Sequence, residues 1–155
     1  MELNKKVANF TLKTDEGKDV SLADFAGKPV VLFFYPRANT PGCTIEACGF
    51  RDAFKKIQAA GAVVLGISRD TPKAQANFRA KYNLPYTLLA DVDERVSKQF
   101  DVLKEKNMYG KKVMGIVRTT FVIGPGQKLA HVFSSVKPEG HAEEVLALLK
   151  DLKWS

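Results

Sequence analysis

Cys43 and Cys48 are the two thiols of this 155-residue chain, and they stand five residues apart. Cys43 follows Thr40-Pro41-Gly42. Threonine is a good helix N-cap and proline suits the first helical position, so Cys43 falls third in the helix that begins there. A thiol at that point meets unpaired backbone N–H groups and the positive end of the helix dipole. Both favour the thiolate, which is the nucleophilic form. The Thr40 hydroxyl is close enough in sequence to donate a hydrogen bond to the sulfur. These residues predict a cysteine built to attack. The bland alternative, a small buried hydrophobe, applies more strongly to Cys48, which shares an apolar stripe with Phe54 and Ile57.

Spacing limits what the pair can do. It is not the C-x-x-C of a thioredoxin-like dithiol exchanger. Five residues of ideal helix separate the Cα atoms by roughly 8–9 Å on diverging faces, whereas a disulfide needs them within about 7 Å. A bridge therefore requires the first turns to unwind. Two states follow: a folded reduced form with a lone reactive thiolate, and a locally unfolded oxidised form. His131 and His141 are remote in sequence and match no metal-ligand spacing, so both read as structural or solvated. Glu46 reads as a carboxylate that complements the helix dipole, not as a catalytic base.

The elements that position these residues show in the hydrophobic pattern. Asn9 to Leu22 reads as a hairpin turning at Asp15-Glu16-Gly17. The apolar run Val30 to Tyr35 reads as a strand buried on both faces. The helix from Thr40 carries Ile45, Cys48, Ala53, Phe54 and Ile57 inward and stops at Gly61. Ala62–Ser68 is a second buried strand, and Pro72 to about Tyr82 a helix. Tyr86–Ala90 is a third strand, with a short helix near Glu94–Phe100. Val117–Ile123 and Lys128–Val136 flank Gly124-Pro125-Gly126 as an antiparallel hairpin. A last helix, Glu139 to Trp154, buries its leucines, with Trp154 as packing. The sum is an α/β chain around one central mixed β-sheet flanked by helices, read as one domain over 1–155. The cysteine pair falls where the first buried strand hands over to its helix, the edge at which open α/β sheets place ligands.

Composition excludes several classes. Hydrophobic residues at 45% and charged residues at 26% exclude a disordered chain, a coiled coil and a collagen-like repeat. The six-residue run Val30–Tyr35 is too short to span a bilayer, and MELNKKVANF lacks the apolar core of a secretory signal. A cytoplasmic protein with reduced thiols and no membrane contact is expected. The net charge is +7, from 24 basic and 17 acidic residues. It is scattered in pairs such as Lys55-Lys56 without a run of five like charges, so no nucleic-acid role is expected.

The segment Pro36-x-x-x-Thr40-x-x-Cys43 resembles the active-site motif of the peroxiredoxins. The longer stretch PRANTPGCTIEACGFRD resembles their bacterioferritin comigratory protein or PrxQ-type branch, and Lys81–Asp91 and Tyr109–Ile123 are similar to matching segments of it. The resemblance covers roughly Leu3 to Leu152. It implies a thioredoxin-like fold with an N-terminal β-hairpin and a peroxidase reducing hydrogen peroxide and organic hydroperoxides. By it, Cys43 is the peroxidatic cysteine, Cys48 the resolving one, Arg118 the second active-site arginine, Thr40 a bond to peroxide or sulfur, and Pro36 a shield of the pocket. It implies a Cys43–Cys48 disulfide re-reduced by thioredoxin or a similar dithiol, no cofactor and no metal. An intramolecular bridge removes the need for a partner subunit, so a monomer is expected. Ala38 departs from the branch, where an acidic residue is common, and Gly124-Pro125-Gly126 replaces an Asp-rich turn. Two rival readings are a thiol–disulfide oxidoreductase without peroxidase activity and a basic non-enzymatic binding module.

Overall fold

Among residues 2–152, which the structure (a computed structural model) describes, the strands are β1 Thr11–Thr14, β2 Asp19–Ser21, β3 Val30–Phe34, β4 Val63–Ser68, β5 Thr87–Ala90, β6 Leu103–Met108, β7 Lys111–Ile116, β8 Thr119–Ile123 and β9 Leu129–Phe133. The α-helices are α1 Pro41–Ala59, α2 Pro72–Tyr82, α3 Arg95–Gln99 and α4 His141–Asp151. A 3-10 turn, Leu22–Phe25, follows the first hairpin.

Seven strands form one mixed sheet in the order β2-β1-β5-β4-β3-β8-β9. β3, β4 and β5 run parallel, while β8 lies antiparallel to β3 with Phe34 opposite Thr119. The architecture is thioredoxin-like with an N-terminal β-hairpin, β1–β2.

The unbroken apolar run of β3 is explained by its surroundings. Val31, Phe33 and Tyr35 face a core shared with α1 and α4, and Val30, Leu32 and Phe34 face a second core with Phe100 and Phe121. Phe33 stacks on Phe50 of α1 at 4.6 Å, and on the other face Phe121 lies edge-on to Phe34 at 5.6 Å. Each such ring contributes about 1.5–3 kcal/mol by leaving water, so the strand that precedes the cysteine loop is fixed on both sides. No described helix is long and apolar enough to cross a membrane.

The structure corrects the expected elements in three places. The polar segment 103–116 forms a two-stranded ribbon, β6–β7, that the hydrophobic pattern does not announce. Among its described residues burial is confined to Gly115 and Ile116 at its end, next to the buried Val102 that precedes it, so no alternation marks it. The inward stripe of α1 is Cys43, Glu46, Ala47, Phe50, Ala53 and Ile57. Ile45 is exposed, and Cys48 and Phe54 are half-buried. At 100° per residue Ile45 lies opposite Cys43, and a stripe drawn from apolar residues alone overlooks Glu46. Helix α4 runs His141–Asp151 instead of starting at Glu139 and continuing to Trp154: Leu152 already has extended backbone, and the expected packing of Trp154 lies outside the described residues.

Candidate active site

Strand β3 ends at Phe34, the chain loops through Pro36–Thr40, and α1 starts with Pro41. Thr40 has the extended backbone of an N-cap and Cys43 is the third helical residue, where the expectation put it. The cap works through the backbone: the Thr44 N–H donates to the Thr40 carbonyl at 2.9 Å. The Thr40 hydroxyl is not on the sulfur, which corrects the sequence reading. It donates instead to the Arg37 carbonyl at 2.9 Å, tightening the loop.

The loop is held from the side as well. Asp70, just past β4, accepts from the Ala38 N–H at 2.7 Å and from the Ser68 hydroxyl at 2.6 Å. The acid missing at position 38 is thus met by one from another strand end, bound to the backbone of Ala38. Asn39, in the left-handed conformation at φ 60°, accepts from the Tyr82 hydroxyl at 3.1 Å. Pro36 is half-buried at the head of the same loop.

Cys43 is buried, and its sulfur lies 3.4 Å from Nη2 of Arg118. The sheet makes this contact across 75 residues. Continuing the β3–β8 register by one pair sets Arg118 beside Tyr35, where the chain leaves β3. Its carbonyl is tied by the Val136 N–H at 3.0 Å. Its Nη1 donates to Glu46 Oε1 at 2.8 Å. One guanidinium therefore holds a thiol and a carboxyl together, a task its rigid fork of donors suits.

Glu46 corrects the dipole reading. Its side chain is fully buried one turn after Cys43, and Oε2 has no hydrogen-bond partner among the described residues. Burial pushes its carboxyl up to about 7, against the pull of the Arg118 charge and hydrogen bond. A buried carboxylate with one bare oxygen is costly, so the proton is retained far above the ordinary carboxylate range.

Gly42 is the residue that sequence reasoning missed. A Cβ there would stand 3.1 Å from Arg118 Nη2 and 3.5 Å from Pro138 Cγ. The guanidinium reaches the sulfur over a surface that a larger residue would crowd. Nothing in the Pro41-Gly42 dipeptide signals this, because the neighbour is Arg118, just before β8.

His141 is structural in its contacts, but not isolated. Nε2 pairs with the Thr120 hydroxyl at 2.7 Å and Nδ1 with Glu144 at 2.8 Å, while its ring stands edge-on to Phe50 at 5.6 Å. It pins α4 to β8 beneath α1. Burial holds its pKa below the ordinary 6.5 despite Glu144.

Both thiols are free, Cys43 buried and Cys48 half-buried. Both lie within the continuous helix α1, so Cys48 points about 140° around the axis from Cys43. Among the described residues no group of three or more His, Cys, Asp or Glu is placed to hold a metal ion. The arrangement offers one buried sulfur, a permanent cation on it, and helix-start N–H groups beside it. That combination places donors where they can stabilise negative charge developing on an oxygen displaced from the atom the sulfur attacks.

Comparison with known proteins bears on the chain as a whole. Residues 3–132 match the model of the AhpC/TSA family. The peroxiredoxin bcp of Coxiella burnetii is 51% identical over 149 residues, covering 96% of this chain and 99% of its own. The peroxiredoxin Bcp of Bacillus subtilis is 41% identical over 152 residues, covering 98% and 97%. Among solved structures, the Xanthomonas campestris bacterioferritin comigratory protein, studied for alkyl peroxide reduction through trapped intermediate and ligand complexes, superposes with a TM-score of 0.88 at 42% identity, over 92% of this chain and 90% of that one. A cysteine-to-serine mutant of Xylella fastidiosa PrxQ gives 0.93 at 38% identity, over 97% and 96%.

Proposed function

This chain belongs to the AhpC/TSA family and is a peroxiredoxin of the bacterioferritin comigratory protein type, and we propose that Cys43 is the peroxidatic thiol of its peroxidase reaction. The family makes it a thiol peroxidase that takes a hydroperoxide and a thiol reductant. The observation that carries the assignment of Cys43 is the 3.4 Å approach of Arg118 to its sulfur at the start of α1.

The Cys43 thiolate attacks the terminal oxygen of the hydroperoxide. The S–O bond forms, the O–O bond breaks, and the departing oxygen takes up a proton and leaves as water or alcohol. Sulfur has lost two electrons and is a sulfenic acid. Arg118 and the first N–H groups of α1 stabilise the charge that moves from sulfur to the departing oxygen. Thr40, whose hydroxyl donates to Arg37, keeps lone pairs to accept the O–H of the bound peroxide, and Pro36 limits water at the loop. Both hydrogen peroxide and organic hydroperoxides fit this scheme.

The first turns of α1 then unwind and Cys48 condenses with the sulfenic acid, releasing water and leaving a disulfide. Thioredoxin or a similar dithiol reduces it by exchange. Because both thiols come from one helix, the cycle closes within one chain. This supports a monomer, working as one domain in a reducing cytoplasm.

The test is an intact mass spectrum after one equivalent of hydrogen peroxide, beside Cys43→Ser and Cys48→Ser. The parent should lose two hydrogens, Cys48→Ser should give a trappable sulfenic acid, and Cys43→Ser should not react quickly. Rapid reaction in Cys43→Ser would sink the assignment. Normal cycling of Cys48→Ser would instead leave Cys43 in place and remove Cys48 from the cycle.

A further inference from the structure

We propose that the Tyr86 hydroxyl is a latch on the unwinding of α1, setting how fast Cys48 can reach Cys43; this rests on Cys48 being the resolving thiol. Tyr86 stands just before β5 and donates a 2.6 Å hydrogen bond to the carbonyl of Ala47, 39 residues away. Ala47 lies between the two cysteines, in the stretch of helix that must open. The Tyr86 ring is 3% exposed, edge-on to Phe33 at 5.7 Å and 6.2 Å from Phe54. It is thus anchored to β3 and to the part of α1 beyond Cys48.

Helical geometry already pairs the Ala47 carbonyl with the N–H of Arg51. The phenol occupies the second lone pair, so it is not needed to complete the helix. It ties one turn of α1 to the segment that leads into β5. Burial raises the Tyr86 phenol well above its ordinary value, which keeps it a donor wherever a thiolate is present. A second tie, Arg51 Nη1 to the Tyr82 carbonyl at 2.9 Å, joins α1 to the same segment one turn later. That contact lies past Cys48 and holds the helix beyond the turn that must open.

The step controlled is the condensation: the Cys43 S–OH bond breaks, the S–S bond forms, and the Cys48 proton leaves with the hydroxide as water. Cys48 attacks only from the opened turn. In that state Ala47 has left the Tyr86 hydroxyl and both are hydrated. A hydrogen bond exchanged in this way changes the opening equilibrium about three- to tenfold.

Tyr86→Phe deletes the hydroxyl and keeps the ring. In quenched-flow intact mass spectrometry, disulfide appearance from the sulfenic acid should accelerate about three- to tenfold. The second-order reaction with hydrogen peroxide should change less than about twofold, since the Tyr86 hydroxyl bonds to Ala47 and not to Cys43 or Arg118. Sulfinic acid formed per turnover at high peroxide should fall by the factor by which condensation rises. Native-state hydrogen exchange, compared between Cys48→Ser and Cys48→Ser/Tyr86→Phe, reads the opening where no Cys43–Cys48 disulfide can form. Amides of Ala47–Arg51 should lose protection by the same factor, with α4 unchanged.

Equal condensation rates and equal protection overturn the latch. So does a loss of protection spread evenly over α1 and α4, which would make Tyr86 a packing residue. If local protection falls while the parent forms no internal disulfide, the latch stands and the assignment of Cys48 fails.

Discussion

Glu46 Oε1 lies 2.8 Å from Nη1 of Arg118, so the carboxyl of a helix turn holds the cation that reaches the cysteine one turn earlier. The carboxyl titrates near 7 because burial outweighs Arg118. Its folded value is above the ordinary 4.5, so the native state keeps a proton that the unfolded state has released. That contribution to stability is whole below about 4.5 and is lost as pH rises through about 7. Relative to Glu46→Gln, the reduced parent should lose about 1.4 kcal/mol per pH unit between these limits, roughly 3 kcal/mol in all. Urea denaturation at pH 5, 6, 7 and 8 measures it, and a pH-independent difference between the two proteins would rule it out.

The same geometry makes Arg118 irreplaceable by lysine. A single ammonium has no planar fork to serve Glu46 and Cys43 together. Arg118→Ala should slow the peroxide step about 10²–10³-fold, and Arg118→Lys should recover little of the loss. Stopped-flow measurement of the first oxidation checks this. A lysine variant within about threefold of the parent would show that charge alone suffices.

Gly42→Ala should separate stability from reactivity. Alanine at a helical position favours the helix over glycine by up to about 1 kcal/mol. Its Cβ, however, would crowd Nη2 of Arg118 at 3.1 Å. The variant should melt no lower than the parent while reacting several-fold more slowly with hydroperoxide, since Nη2 must give way by a few tenths of an ångström and the charge-stabilising geometry loosens with it. Unchanged peroxide kinetics would show that the guanidinium can sidestep.

How much of this was legible follows from where each residue gets its signal. Thr40, Pro41 and Cys43 are local: their order sets the helix start and the third position, and the structure keeps both. The apolar strands and the terminal hairpin carry equally local patterns. Arg118 has no such signal, since its value depends on a strand register set 75 residues away, and only the family resemblance singled it out. Glu46 was misread because a carboxylate near a helix start is normally solvated, and its burial depends on that same arginine. Gly42 and Asp70 matter through neighbours just before β8 and in the loop. The ribbon β6–β7 buries too little to leave a hydrophobic period.

His141 should report acid destabilisation of the α4–β8 contact. Burial lowers its folded pKa below 6.5 against Glu144, with Arg118 adding to the lowering. Stability from the neutral ring is therefore complete above about 6.5 and is lost as pH falls through the folded value. In His141→Gln, which cannot titrate, this part of the acid limb should vanish. An NMR titration giving His141 a pKa at or above 6.5 would contradict it.

The pairing of β8 with β3 also fixes a moment in the life of the chain. Arg118 is made 75 residues after Cys43, which at ribosomal speeds of about 5–20 residues per second means roughly 4–15 s later. During that interval the nascent cysteine has its helix start but no cation, and Glu46 has no partner to bury against. The pairing of sulfur with guanidinium is thus absent from any chain that ends before Arg118, and it forms only when β8 pairs with β3.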